Sequence, residues 1–370
     1  FEQLMATSDP APAPRVQRYC EESPAHFDWL VAMGVPYSER VSRARGLPRD
    51  DASLFHAGDE QVAPDRPGPR LPLRGHVPSG KGRRGGRLLM DSLIAKAADA
   101  RVGMLAGADA RNLVIEPDGR VAGVLLGIND RSRAVRVRRG VVLASGGFSR
   151  NAAMLRQHAP QLQACAEPWG TQAELGHGIN MAIAAGAGSR RMHEGMVFMD
   201  IAETASVPLG VLVNAAGQRF VCESAFPAEV GHAVAFQQAG KAWLITDRVA
   251  ASQAMDRGFS PVATANTIGD IAVTLDLPPG ALQQTAAYYT RQAANGRDPV
   301  FHKEAPWLRP LQGPPYRAWD LSCAQPGSRV PTRGGLSTAL DGAVLDGLGE
   351  LIPGRYAGGR TAAGQPVAPY

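Results

Sequence analysis

Cysteine and lysine are both scarce in this chain of 370 residues, with four of each. Cys20, Cys165, Cys222 and Cys323 lie far apart and form no C-x-x-C pair. That spacing argues against zinc sites and disulfide frameworks, so no metal is expected and a reducing cytoplasm is the expected compartment. No apolar run approaches the roughly 18 residues that span a bilayer, and no basic-then-apolar leader opens the chain. A membrane span is therefore not expected. Also missing is an opening βαβ unit that carries a G-x-G-x-x-G turn and seats a pyrophosphate on a helix N-terminus. The glycine repeat Gly347-Leu348-Gly349 lies between strand-like runs and reads as a hairpin turn.

What charge there is does not point to nucleic acid. The net charge is +5, and 39 residues are Lys or Arg; with four lysines, 35 are arginine. Together with abundant Ala, Gly and Pro, that skew reads as coding bias rather than a phosphate-binding face. The one basic cluster, Lys81-Gly82-Arg83-Arg84-Gly85-Gly86-Arg87, reads as a solvated loop ahead of a helix. At this length, with 44% hydrophobic residues, the chain can bury a sizeable core and should hold about two domains.

The richest stretch is Val141-Val142-Leu143-Ala144-Ser145-Gly146-Gly147-Phe148. Its short apolar run suits a strand buried on both faces of a parallel sheet. The turn after it, free of bulky side chains, lets a backbone approach a ligand where α/β folds bind nucleotides. Elsewhere residues 1–50 read mainly as helix, with Trp29, Leu30 and Met33 at helical spacing and a stop at Gly34. Residues 56–86 read as a long loop, and Met90–Ala100 as an amphipathic helix. Strands are expected over Val102–Leu105, Asn112–Ile115, Val121–Leu126, Val135–Ala144, Gly210–Asn214 and Trp243–Thr246. Helices are expected over Ala152–Gln157, Gly178–Ala185 and Ala281–Ala294.

Read in order, these pieces resemble the FAD-dependent fumarate reductase and 3-ketosteroid 1-dehydrogenase flavoproteins. The resemblance rests on Phe27-Asp28-Trp29-Leu30, Gly34-Val35-Pro36-Tyr37, Gly119–Val124, the Leu143–Phe148 turn, Gly176–Ala182, Val213-Asn214 and Arg219-Phe220 with Glu223. It continues through Pro314–Ala318, Thr332–Leu336 and Ile352–Gly359. It implies an α/β fold, an incomplete FAD-binding Rossmann-like domain interrupted by an α+β cap domain. Residues 1–150 would be the rear of the FAD-binding domain, 151–325 the cap, and 326–370 the return to the first domain. The family's N-terminal G-x-G-x-x-G unit and its C-terminal end have no counterpart, so the chain reads as an internal fragment or a product trimmed at both ends.

The resemblance implies FAD as cofactor, with Ala110, Ala144, Ser145, Gly146, Gly147, Gly176, Gly178, Ala357, Gly358 and Gly359 around it. It implies hydride transfer between a substrate carbon and the flavin, with a side chain moving the matching proton. The position where fumarate reductases carry an arginine, and ketosteroid dehydrogenases a tyrosine, is here Pro227, which carries no proton. Dicarboxylate reductases place a histidine just before the T-x-G-G turn; here Val330 and Pro331 stand there, and an unpaired buried carboxylate is costly. The substrate expected is therefore a small apolar ketone. Arg329 and Arg333 are expected to be solvated loop residues, and Arg219 and Glu223 to brace the cap. The candidate base is Tyr370, eleven residues after Gly359, although a phenol near pKa 10 needs neighbours that stabilise phenolate. Three functions stay open: a ketosteroid-dehydrogenase-like enzyme, a fumarate-reductase-like enzyme, or a non-catalytic fragment unable to hold FAD. The electron partner has no signature in the sequence.

Overall fold

The structure, a computed structural model, describes residues 13–42, 48, 50–55, 75–80, 85–256 and 258–364. It opens on helix α1 (Ala13–Ala32), closed by Gly34. Little of α1 is buried beyond Val16, and Trp29 is exposed. No helix follows among the described residues up to 55. Instead two short strands, β1 (Leu54–Phe55) and β2 (Gly75–His76), pair antiparallel before helix α2 (Gly85–Asp99). The basic residues 81–84 lie outside the described residues.

A three-stranded antiparallel meander follows: β3 (Asp109–Ile115), β4 (Val121–Ile128) and β5 (Arg131–Arg136). Two expectations fail around it. Val102–Leu105 forms no strand and exposes Val102, Met104 and Leu105. The run expected from Val135 to Ala144 is two elements, because the chain breaks at Gly140 before β6 (Val141–Leu143). Strand β6 is not buried on both faces either, since Val142 is 69% exposed. An apolar run identifies a strand but does not say which neighbours will cover it.

Helix α3 (Ala152–His158) starts where the Asn151 side chain accepts bonds from the Ala153 and Met154 N–H groups, both at 3.1 Å. Such a cap is worth about 1 kcal/mol. Then come β7 (Glu167–Pro168), α4 (His177–Ala184), β8 (Ser189–Arg190), β9 (Phe198–Met199), α5 (Ser206–Leu209), β10 (Val211–Val213) and α6 (Pro227–His232). Pro227 occupies the first turn of α6, where its missing N–H costs nothing. Next are β11 (Trp243–Thr246), α7 (Ser252–Asp256), β12 (Ala263–Ala265), α8 (Ile268–Thr274) and α9 (Ala281–Ala294). Leu282, Ala286, Tyr289 and Ala293 recur at helical spacing along α9, and all four are buried. The chain ends through β13 (Tyr316–Asp320), β14 (Ser328–Val330), β15 (Gly335–Leu336), β16 (Ala343–Leu345) and β17 (Leu351–Ala357).

Two apolar clusters organise the molecule. The smaller packs α8 and α9 against the antiparallel sheet ordered β10-β11-β13-β12, around Ile245, Ile271, Leu282 and Ala318. The larger joins Leu143, Phe148, Leu336, Val344 and Ala357 to Val197, Leu212, Leu244 and Trp319. It thus runs across both expected domain boundaries as one contiguous core. Among the described residues no helix is long and apolar enough to cross a membrane.

Candidate cofactor and active site

The site grows from one strand pair. β17 runs parallel to β6, with Arg355 opposite Val141, Tyr356 opposite Val142 and Ala357 opposite Leu143. Parallel pairing brings both carboxyl ends to the same edge, so Ala144–Gly147 and Gly358-Gly359 leave the sheet side by side. The Gly358 N–H donates to the Leu143 carbonyl at 3.1 Å and joins the two exits. Arg355, with no exposed surface, anchors the pair by donating to the carbonyls of Ala182 (3.1 Å) and Ala185 (2.9 Å) at the C-terminus of α4.

Beneath this corner the turn is braced. The Gly147 N–H donates to Glu174 Oε2 at 2.8 Å, and the Phe148 N–H to Thr332 Oγ1 at 3.0 Å. The Arg360 guanidinium contacts Glu174 Oε1 and donates to the Trp169 carbonyl at 3.3 Å. Thr361 Oγ1 donates to the Gly146 carbonyl at 3.1 Å and lies 3.5 Å from Ser145 Oγ.

The glycines divide by what surrounds them. A Cβ on Gly147 would lie 2.4 Å from Thr332 Oγ1, and one on Gly146 would lie 2.6 Å from Glu174 Oε1. These two glycines make room for bracing side chains. Gly176 and Gly178 are likewise buried, the first against Met154 and Phe148, the second against Ser145. Gly358 and Gly359 differ, since a Cβ on either would meet nothing within 4 Å. Ala144 and Ser145 are exposed beside them, Gly359 holds a left-handed φ of 58°, and Ala357 is buried at the end of β17. Ala110 sits apart, exposed on β3 opposite Leu126. The corner is thus open, poor in side chains and backed by a fixed acid and arginine, which suits the close approach of a flat, polyhydroxylated group such as a flavin with its ribityl chain. Tyr370 lies outside the described residues.

The residues just before the T-x-G-G turn also take definite places. Val330 is buried in β14, which pairs with β7. Arg329 corrects the expectation of a solvated loop residue. It is half-buried, grips Asp200 through both terminal nitrogens at 2.7 and 2.9 Å, and reaches Glu167 at 3.3 Å. Burial lowers its basicity, but the bonds to Asp200 raise it further, so its charge is held and already matched.

A second, closed cluster surrounds Glu223. Arg219 bonds Glu223 and Asp298, both at 2.7 Å, and Lys303 Nζ reaches Glu223 at 3.0 Å. Lys303 also donates to the Gly210 carbonyl (2.7 Å) and to the Tyr289 hydroxyl (3.0 Å). Arg219 lies over the rings of Tyr289 and Phe301. Burial pushes the Glu223 carboxyl up, but Lys303 and Arg219 outweigh it and hold the group ionised below its usual range. Asp298 is similarly burdened by burial, yet its bond from Arg219 holds it at about 2. This is the bracing expected of Arg219 and Glu223, with Asp298 and Lys303 as partners that no motif marks. Glu174 and Arg360 were equally invisible, whereas Thr332 was within reach as the threonine of the T-x-G-G turn.

Comparison with known proteins agrees with this geometry. One family model, the FAD binding domain, matches residues 1–368. The crystal structure of 3-ketosteroid-Δ4-(5α)-dehydrogenase from Rhodococcus jostii RHA1 superposes with a TM-score of 0.90 at 34% identity, covering 100% of this chain and 78% of that one. The 3-oxo-5-alpha-steroid 4-dehydrogenase of Comamonas testosteroni is 26% identical over 92% of this chain and 76% of its own length. The NADH:acrylate oxidoreductase of Vibrio harveyi is 28% identical over 79% of this chain but 30% of its own length. Across several curated relatives the chain spans 30–58% of their length. An open glycine corner beyond two parallel strands, in a chain matched nearly end to end by one family model, makes this protein a member of the FAD binding domain family, alongside fumarate reductases and 3-ketosteroid dehydrogenases.

Proposed function

We propose that this protein is an FAD-dependent oxidoreductase that forms or reduces a carbon–carbon double bond next to a carbonyl, acting on an apolar ketone of the 3-ketosteroid kind. FAD supplies hydride acceptance and donation at its flavin ring when bound. The chain's own part is to seat that ring and exclude water. Ala144, Ser145, Gly358 and Gly359 are the residues we assign to the open side of the seat, and Gly146, Gly147, Gly176 and Gly178 to its supporting layer. Ala357 ends the strand that carries it. Tyr370 is the residue we assign to take the proton next to the carbonyl. The cap, about 151–325, covers the substrate, and the cytoplasm is the compartment that four free thiols favour.

The observation that carries the ketone reading over a dicarboxylate one is the treatment of charge. The positions before the T-x-G-G turn are Val330, buried, and Pro331, and the neighbouring Arg329 is committed to Asp200 and Glu167. A dianion would meet no cation from these three residues. The Rhodococcus and Comamonas relatives, both steroid 4-dehydrogenases by name, point the same way.

The test is direct. The purified chain is titrated with FAD, and the loaded protein is offered a saturated 3-ketosteroid with an artificial electron acceptor, or fumarate with an artificial donor. Turnover of the steroid and none of fumarate is expected. Fumarate reduction without steroid oxidation would overturn the substrate reading, and no FAD complex in the micromolar range would leave the non-catalytic alternative standing.

A further inference from the structure

The two charges behind the glycine corner belong to different exits of the strand pair. Glu174 is buried, and its Oε2 takes the Gly147 N–H at 2.8 Å. A Cβ on Gly146 would stand 2.6 Å from Glu174 Oε1 and 3.1 Å from its carboxyl carbon. No side chain therefore separates this carboxylate from the Gly146-Gly147 backbone, and Gly146 itself is half-buried. The main chain of Glu174 is fixed as well: its carbonyl accepts from the Arg150 N–H at 2.9 Å, and its N–H donates to the Thr171 carbonyl at 3.2 Å. Arg360 belongs to the second exit, since it follows Gly359 directly in the chain. One of its terminal nitrogens contacts Glu174 Oε1 and the other donates to the Trp169 carbonyl at 3.3 Å, an oxygen that Ser149 Oγ also reaches at 3.3 Å. A carboxylate and a guanidinium, each held on two sides, thus stand one hydrogen bond apart behind the open surface.

We propose that Glu174 and Arg360 set the reduction potential of a flavin seated on this corner, Arg360 raising it and Glu174 lowering it. The proposal rests on the assignment of the corner as the FAD seat. Neither residue touches reacting atoms; each acts through space, from behind a stretch of backbone that carries no bulky side chain. Uptake of two electrons and one proton leaves one negative charge on a flavin ring, and charge placed near the ring is one of the means by which a protein tunes it. In a site that water leaves, a fixed guanidinium favours that added charge and a fixed carboxylate opposes it, because neither can turn away and little solvent screens them. The ion pair is neutral as a whole, so the two influences offset each other in the intact protein. Removing one member uncovers the other. The bracing already described needs the pair to hold the turn; the tuning needs the sign of each charge, and so the two roles separate by experiment.

The test reads the midpoint potential of the FAD-loaded chain by optical titration against a reference dye, and needs no substrate. Arg360→Gln should lower the midpoint and Glu174→Gln should raise it. A tenfold change in the reduced-to-oxidised ratio is expected in each, which is about 30 mV for a two-electron couple. The double variant, neutral at both positions, should return close to the wild-type value, and Arg360→Lys, which keeps the charge, should stay there. Arg156→Gln, on the exposed side of α3, should move nothing, which separates a local field from net charge. Loss of a brace alone would not drive the two single variants in opposite directions. Should Glu174→Gln fail to fold, the comparison of Arg360→Gln with Arg360→Lys decides. Bound flavin whose midpoint stays fixed, or shifts the same way in both single variants, would overturn the proposal and leave the seat standing. A wild-type chain that holds no FAD would overturn the seat, and the proposal with it.

Discussion

The glycine corner and the ion cluster around Glu223 make opposite uses of polarity. At the corner the open surface is backbone and small side chains, and the charges, Glu174 and Arg360, sit behind it as braces. Around Glu223 the side chains of Arg219, Asp298 and Lys303 are shut away and satisfy one another, with Tyr289 and the Gly210 carbonyl taking the remaining donors of Lys303. The contrast separates a place prepared for something else from a place already complete. A buried charge cluster with every partner present has no capacity left for a ligand. A corner whose Cβ positions face open space has capacity and little else.

That contrast can be broken at either end. The largest effect belongs to the proposed proton transfer: in the FAD-loaded protein Tyr370→Phe should lower kcat by roughly 10²–10⁴, the usual worth of a positioned acid–base group, with flavin content unchanged. Wild-type turnover would remove Tyr370 from the mechanism. At the closed end, Glu223→Gln leaves two buried cations without their shared carboxylate, and removing one partner of such a cluster costs about 3–5 kcal/mol. Urea unfolding should report a loss of that order, and an unchanged midpoint would mean that the cluster is dispensable.

Two glycine replacements then sharpen the difference. Gly147→Val drives a branched side chain into Thr332 and Glu174, so stability should fall by about 1–3 kcal/mol even without cofactor. Gly358→Val meets open space in extended backbone, with φ near −144°, so the apo protein should unfold as wild type does. Its FAD affinity should drop about tenfold, or about 1.4 kcal/mol. Equal affinity in the two proteins would show that the corner is not the seat. The smallest effect is acid lability. Asp298 is held at about 2 in the folded chain against an ordinary 3.8, so its stabilisation is complete above pH 4 and is lost as pH falls through about 2. Asp298→Asn should flatten that part of the stability–pH curve, and an unaltered slope would assign it to other carboxylates.

Local signals carried well where one element decides its own form. The helix at Ala281–Ala294 and the strand at Trp243–Thr246 match their expected bounds, because apolar spacing and β-branched content act within the segment itself. Where the outcome depended on a neighbour, the reading failed. Val142 looked buried and is open, and the strand-like Val102–Leu105 has no partner strand among the described residues. Arg329 looked solvated because its partners Asp200 and Glu167 are 129 and 162 residues away along the chain. Of the site, the glycines were legible as a group, but not their division into packed and open members.

By itself the sequence determined the family, the cofactor class and the order of the elements, since these rest on small residues and apolar periodicities that keep their meaning locally. Tertiary structure alone decided which glycines face space and which charges cancel. Each of those is a distance between segments far apart in the chain, and such distances are set by packing of the whole core rather than by the preference of any one stretch.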